Sequence, residues 1–170
     1  MKHIILIGFK NVGKTVIGKR LAERLGRTFV DLDTEIEKKE GMTAREIVTN
    51  EGEMYFRNIE SEVLKRVFKG EHELVLALGG GAAMTEENQA LIQEHTVVLI
   101  TAKKEVVFER IMKKGRPAIF PKGLSDREAF EKLYAQREPV YERIATVKVE
   151  NNGKVEEAVE ELTRIMNKEL

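Results

Sequence analysis

The octapeptide Gly8-Phe9-Lys10-Asn11-Val12-Gly13-Lys14-Thr15 fits G-x-x-x-x-G-K-[ST] at every defined position. Glycines in such a loop let backbone amides close in on phosphate oxygens, and a helix starting behind it adds its positive end. In that pattern Lys14 reaches the outer phosphates of a nucleoside triphosphate and the Thr15 hydroxyl ligates Mg²⁺. A chance match in a chain of this length is on the order of 1% at average glycine usage, so the motif is taken as chemical. The next acidic candidates are Asp31 and Asp33, one residue apart just after a short apolar run. In a parallel sheet every strand ends on the same edge, which puts both carboxylates in the crevice that holds the phosphate loop. One can serve a metal-bound water and the other a substrate hydroxyl; the residues leave open that Asp33 merely caps the following helix.

Basic groups outside the loop form a third set. Arg57 and Glu60 are three apart on an expected helix and share a face. Arg116-Pro117 lies in an irregular basic stretch, and Arg137-Glu138-Pro139-Val140-Tyr141 sets a proline into a helical pattern that it should interrupt. Guanidinium groups suit bidentate capture of a carboxylate or a phosphate, although each of these alone is compatible with a solvated surface arginine. His3, His72 and His95 are scattered, with no second ligand at metal-binding spacing.

These groups need a scaffold, and apolar periodicity supplies one. Short buried-looking strands are expected at 4–7, 29–30, 74–78, 97–100 and 146–149, with Gly79-Gly80-Gly81 ending the third. Between them, helical patterns run over 14–25, 34–40, 53–68, 86–93, 104–112, 125 to about 141, and 155–166. Thr43-Ala44-Arg45-Glu46 and Ser125-Asp126-Arg127-Glu128 read as capping boxes. Residues 113–123 break the periodicity. Strands alternating with helices predict an α/β domain: a five-stranded parallel sheet sandwiched by helices. One domain is expected over residues 1–170.

The chain carries 29 basic and 29 acidic residues and no cysteine. Zero net charge disfavours general binding to nucleic acid or to an anionic membrane surface, so any anion site must be local. Lack of cysteine excludes disulfides, a thiolate zinc site and a cysteine nucleophile. No apolar run approaches the roughly 20 residues of a membrane span, and the apolar run behind Met1-Lys2-His3 is too short for a signal peptide core. A cytoplasmic, soluble monomer is expected. An N-K-x-D guanine-reading motif is absent, which argues against a GTPase. Other small-molecule P-loop kinases, such as a gluconate or nucleotide kinase, and a nucleotide-binding regulatory module remain as alternatives.

Taken in order, the phosphate loop, Asp31-Leu32-Asp33, Gly52-Glu53 with Phe56-Arg57 and Glu60, Gly79-Gly80-Gly81, Arg116-Pro117 and Arg137-x-Pro139-x-Tyr141 resemble the shikimate kinase family along nearly the whole chain. The resemblance implies a nucleoside-monophosphate-kinase-like fold with a substrate-binding insertion at about 33–60 and a mobile lid at about 113–124. It implies ATP and Mg²⁺ as cofactors and transfer to the 3-hydroxyl of shikimate, in aromatic amino-acid biosynthesis. It assigns Asp33, Lys14 and Arg116 to catalysis, and the acceptor to Asp33, Arg57, Glu60, Gly79, Gly80, Gly81 and Arg137, the glycines letting substrate approach the backbone. ATP falls to Asn11, Val12, Gly13, Lys14, Thr15, Val16, Arg110 and Arg116, and the metal to Thr15 and, through water, Asp31. Asn11 stands where the family usually has glycine and Lys10 where it has methionine. Ala118-Ile119 replaces a leucine pair, and no strand-end hydroxyl precedes the three glycines. Asparagine tolerates left-handed backbone, so the loop survives its substitution.

Overall fold

In a computed structural model, described over residues 2–70 and 72–169, all five strands are parallel and lie in the order β2-β3-β1-β4-β5. Met1, Glu71 and Leu170, part of the expected domain, lie outside the described residues. The strands are β1 (Ile4–Ile7), β2 (Thr28–Asp31), β3 (Leu74–Ala77), β4 (Thr96–Thr101) and β5 (Val147–Glu150). β1 is buried at every residue because it is flanked by β3 and β4 and covered on both faces, which is why its sequence is an unbroken apolar run. The edge strands β2 and β5 alternate or stay half-exposed, and their apolar signal is correspondingly short.

The helices are α1 (Lys14–Leu25), α2 (Leu32–Glu40), α3 (Ala44–Glu51), α4 (Glu53–Phe68), α5 (Glu86–Ile92), α6 (Lys104–Met112), α7 (Asp126–Ile144) and α8 (Val155–Glu169). Both expected capping boxes are present, at Thr43/Glu46 and Ser125/Glu128. One 3₁₀ turn (Ala82–Met84) follows the three glycines. A single contiguous apolar core joins the strands to α1, α4, α7 and α8. No helix among the described residues is long and apolar enough to cross a membrane.

Two local readings are corrected. Pro139 does not interrupt its helix: α7 runs through it from Asp126 to Ile144. The lost backbone bond, costing about 3 kcal/mol in a helix interior, is offset by the burial of Phe130, Tyr141 and Ile144 on one side of α7. Nor does Asp33 cap α2. Asp31 does so, its carboxylate accepting from the Thr34 amide at 3.3 Å, and this frees Asp33 in the first turn to face elsewhere.

At the N-terminal edge of the sheet His3 is buried, accepting the Leu74 amide on Nδ1 at 3.2 Å and stacking on Phe68. His95 meets both rings edge-on. Burial pushes both imidazoles below their usual 6.5. The unfolded chain therefore takes up these protons first, and the neutral pair's contribution is present above about pH 6.5 and lost as pH falls below it. His3→Phe removes the acceptor but also the titration. The urea-midpoint gap between wild type and His3→Phe should be widest near pH 8 and close as pH falls towards 5.5; a gap that widens in acid would contradict this placement.

Candidate active site

Three strand ends, those of β1, β2 and β3, and the elements behind them enclose a cavity of about 600 Å³, within the range of a small-ligand site. Its floor is the phosphate loop. Gly8 and Gly13 adopt positive φ (136° and 106°), and Asn11, at φ 63°, is the only non-glycine residue to do so among the described residues. The asparagine thus holds the left-handed position glycine would take, and its Nδ2 donates to the Arg110 carbonyl at 3.3 Å, tying the loop to α6. Lys14 is buried and curls back to donate to the carbonyls of Gly8 (2.8 Å) and Phe9 (2.7 Å). Burial pushes its pKa down to about 8, with Asp33 and Asp31 pulling the other way, so it stays charged at neutral pH.

One support of this loop was not legible in the sequence. Asn151, which reads as a turn residue, is buried and donates from Nδ2 to the Val12 carbonyl at 2.8 Å, its amide lying where a Cβ on Gly13 would fall (2.4 Å). Only the distant β5–α8 junction brings it there, and no local pattern marks such a contact.

The acceptor end is built around the end of β3. The Leu78 amide donates to the Leu6 carbonyl at 3.0 Å, carrying the pairing one residue beyond the strand and leading Gly80 against the phosphate loop. A Cβ on Gly79 would meet Asp33 Oδ1 at 2.6 Å; on Gly80, Arg137 Nη1 at 2.9 Å; on Gly81, Arg57 Nη2 at 2.2 Å. The glycines were expected to let substrate approach the backbone. The Cβ positions they leave empty also lie against the three charged side chains assigned to that substrate.

Each of these side chains is braced. Arg57, on α4, donates from Nη1 to Glu60 Oε2 at 2.7 Å and lies 3.5 Å from Glu53. Glu60 is 0% exposed; burial pushes its pKa up to about 7 against the pull of Arg57, and its Oε1 has no hydrogen-bond partner among the described residues. Arg137 is 7% exposed, its Nη1 2.9 Å from the Cβ position of Gly80, and Tyr141, one turn on, donates its hydroxyl to the Gly80 carbonyl. The Arg-x-Pro-x-Tyr spacing therefore brings both residues to Gly80, and Tyr141 is a site residue that sequence reasoning had in its motif without a role. Asp33 sits between the two halves, its pKa raised by burial and by Asp31, with Lys14 opposing. Such a carboxylate is a stronger base than one in water.

Asp31 also accepts from the Thr15 hydroxyl at 2.7 Å. Two adjoining hard oxygen donors at the loop's helix suit Mg²⁺, which keeps most of its water and takes few protein ligands.

Arg110 and Val16 line the cavity on the loop side. Lys113, Lys114, Pro117, Ala118, Ile119 and Phe120 line it from the irregular segment between α6 and α7, which reaches α3 through Arg45, donating to the Arg116 carbonyl at 2.5 Å. Arg116 itself does not face the cavity. Its guanidinium pairs with Asp126, donates to the carbonyls of Pro121 (2.7 Å) and Leu124 (3.1 Å), and lies over the Phe120 ring. Of the expected set, it alone among the charged groups is held away from the others.

The shikimate kinase sequence family matches residues 10–167. The chain belongs to the shikimate kinase family. A shikimate kinase of Pelotomaculum thermopropionicum is 40% identical over 98% of this chain and 96% of its own length. Among solved structures, the shikimate kinase of Acinetobacter baumannii in complex with shikimate superposes with a TM-score of 0.89 at 32% identity, covering 99% of this chain and 94% of that one. That of Aquifex aeolicus reaches 0.84 at 34%, covering 98% and 97%. A gluconokinase of Sinorhizobium meliloti, 16% identical with a TM-score of 0.63, shares the fold alone. As a member of the shikimate kinase family this chain is an ATP-dependent kinase of shikimate in aromatic amino-acid biosynthesis.

If Gly79 serves to admit Asp33, then Gly79→Ala must displace that carboxylate. Displacement by about 1 Å costs on the order of a hundredfold in turnover. Steady-state kinetics should show that loss with ATP affinity held within about twofold; an equal loss of both would mean the loop, not Asp33, had moved.

Proposed function

We propose that the cavity holds ATP over the phosphate loop and shikimate over the three glycines, and transfers the γ-phosphoryl group to the 3-hydroxyl. The observation that carries this is the meeting of Asp33, Arg57 and Arg137 above Gly79-Gly80-Gly81 in the same cavity as Lys14. Two guanidiniums, one held by buried Glu60 and the other itself buried, suit one carboxylate; one half-buried carboxylate with raised pKa suits one hydroxyl.

In this reading Arg57 and Arg137 clamp the acid group of shikimate, with Glu60 orienting Arg57. Asp33 holds the ring hydroxyls and accepts the proton of the attacking oxygen. The new O–P bond forms as the β,γ-bridging bond breaks, and ADP leaves with the bond's electron pair. Lys14 spreads the charge on the transferring group, and Arg110 lies against the base. Thr15 and, through water, Asp31 would hold Mg²⁺, which supplies charge neutralisation on the phosphates. Arg116 joins the site by giving up Asp126 when the segment at 113–124 moves over the cavity as a lid, which also excludes water. All these groups come from one chain, so a monomer is sufficient. A biosynthetic kinase that draws on ATP and has no cysteine fits the cytoplasm.

ADP release coupled to a reporter, with shikimate against gluconate and nucleoside monophosphates, tests the acceptor; turnover with shikimate alone is expected. Arg137→Ala should raise the shikimate KM about tenfold or more with a smaller change in that of ATP. An unchanged shikimate KM would remove the clamp. Asp33→Asn should lower kcat by about 10²–10⁴-fold while ATP binding persists. If ATP affinity fell in step, Asp33 would belong to the nucleotide site instead.

A further inference from the structure

Lys10 is a charged group in the cavity for which the scheme above has no role. It is the third residue of the phosphate loop, held between Phe9, whose ring stacks on Tyr134 at 4.6 Å, and left-handed Asn11. The backbone on either side is therefore fixed. Its side chain is exposed into the cavity, and among the described residues its ammonium has no hydrogen-bond or ion-pair partner. Its amide lies 3.5 Å from the Cβ position of Gly80, under the acceptor, and its charge is felt at both Lys14 and Asp33. Lys10 thus stands at the seam between donor and acceptor, where the phosphoryl group must cross.

Electrostatics makes that position costly unless an anion arrives. Eight basic side chains line the cavity against three acidic ones, in a molecule of zero net charge. An unpaired ammonium among other cations is repelled, and the repulsion is relieved only by a polyanionic ligand. Arg116, meanwhile, is satisfied elsewhere by Asp126 and two carbonyls. We propose that Lys10 is a second source of positive charge on the transferring phosphoryl group, supplied from the loop itself, and that it partly substitutes for Arg116. The loop cation is in place before any lid movement; the lid cation must first exchange its partners.

The inference rests on the transfer reading, and the two can fail separately. The experiment is a cycle of Lys10→Met, Arg116→Ala and the double variant, with kcat and both KM values measured at low and raised salt and melting temperature recorded for each. Lys10→Met should lower kcat/KM for ATP about tenfold, the effect shrinking with salt, and Lys10→Arg should recover most of the loss. The double variant should lose more than the product of the single losses, because each cation covers in part for the other. Lys10→Met at wild-type rate in both backgrounds overturns the proposal, as does a strictly multiplicative double variant. So does a loss that follows a lowered melting temperature and is not recovered by Lys10→Arg. A wild-type chain that leaves shikimate unphosphorylated would instead remove the transfer reading itself.

Discussion

Charges of opposite sign are brought together at the end of β3, and they fit because the backbone beneath them lacks Cβ atoms. Asp33 arrives from α2, Arg57 from α4 and Arg137 from α7, and each lies over a different glycine. Three helices distant in sequence thus depend on one tripeptide for their mutual geometry. The strand order matters for the same reason. β3 lies between β2 and β1, so its end falls between the turn carrying Asp31 and Asp33 and the loop carrying Lys14.

Burial of charge then sets the chemistry. Glu60, wholly buried, and Lys14, held by two carbonyls, are both shifted toward their neutral forms, and Asp33 is shifted the same way. None of these shifts favours the empty protein. That of Lys14 is relieved when a polyanionic ligand enters, so the phosphate end is preorganised at some cost to the unliganded fold. The pairing of Arg57 with Glu60 limits the cost of burying that carboxylate and holds the Arg57 guanidinium in place.

Much of this was legible in the sequence because the relevant physics is local. The phosphate loop, both capping boxes and the central strands depend on neighbours within a few residues, and the expected boundaries of α1, α4 and α6 coincide with those found. At the edges β2 was read two residues short and β5 one residue early, since exposed Thr28 and Glu150 carry no apolar signal. Pro139 misled because its cost is local while the packing that offsets it is not. The capping role passed from Asp33 to Asp31 for a similar reason: spacing alone does not tell which of two carboxylates turns back to its own helix. Asn151 and the sequestered guanidinium of Arg116 are products of tertiary contact, and nothing at those positions announces them.

The amide of Asn151 also has a bearing on how the chain divides into parts. It joins the β5–α8 junction, near the C-terminus, to a loop formed within the first fifteen residues. The nucleotide half of the pocket thus leans on a segment made late in synthesis, and Arg137 of the acceptor half comes from the helix just before it. Neither half is complete on the ribosome until most of the chain has been made, so donor and acceptor sites mature together.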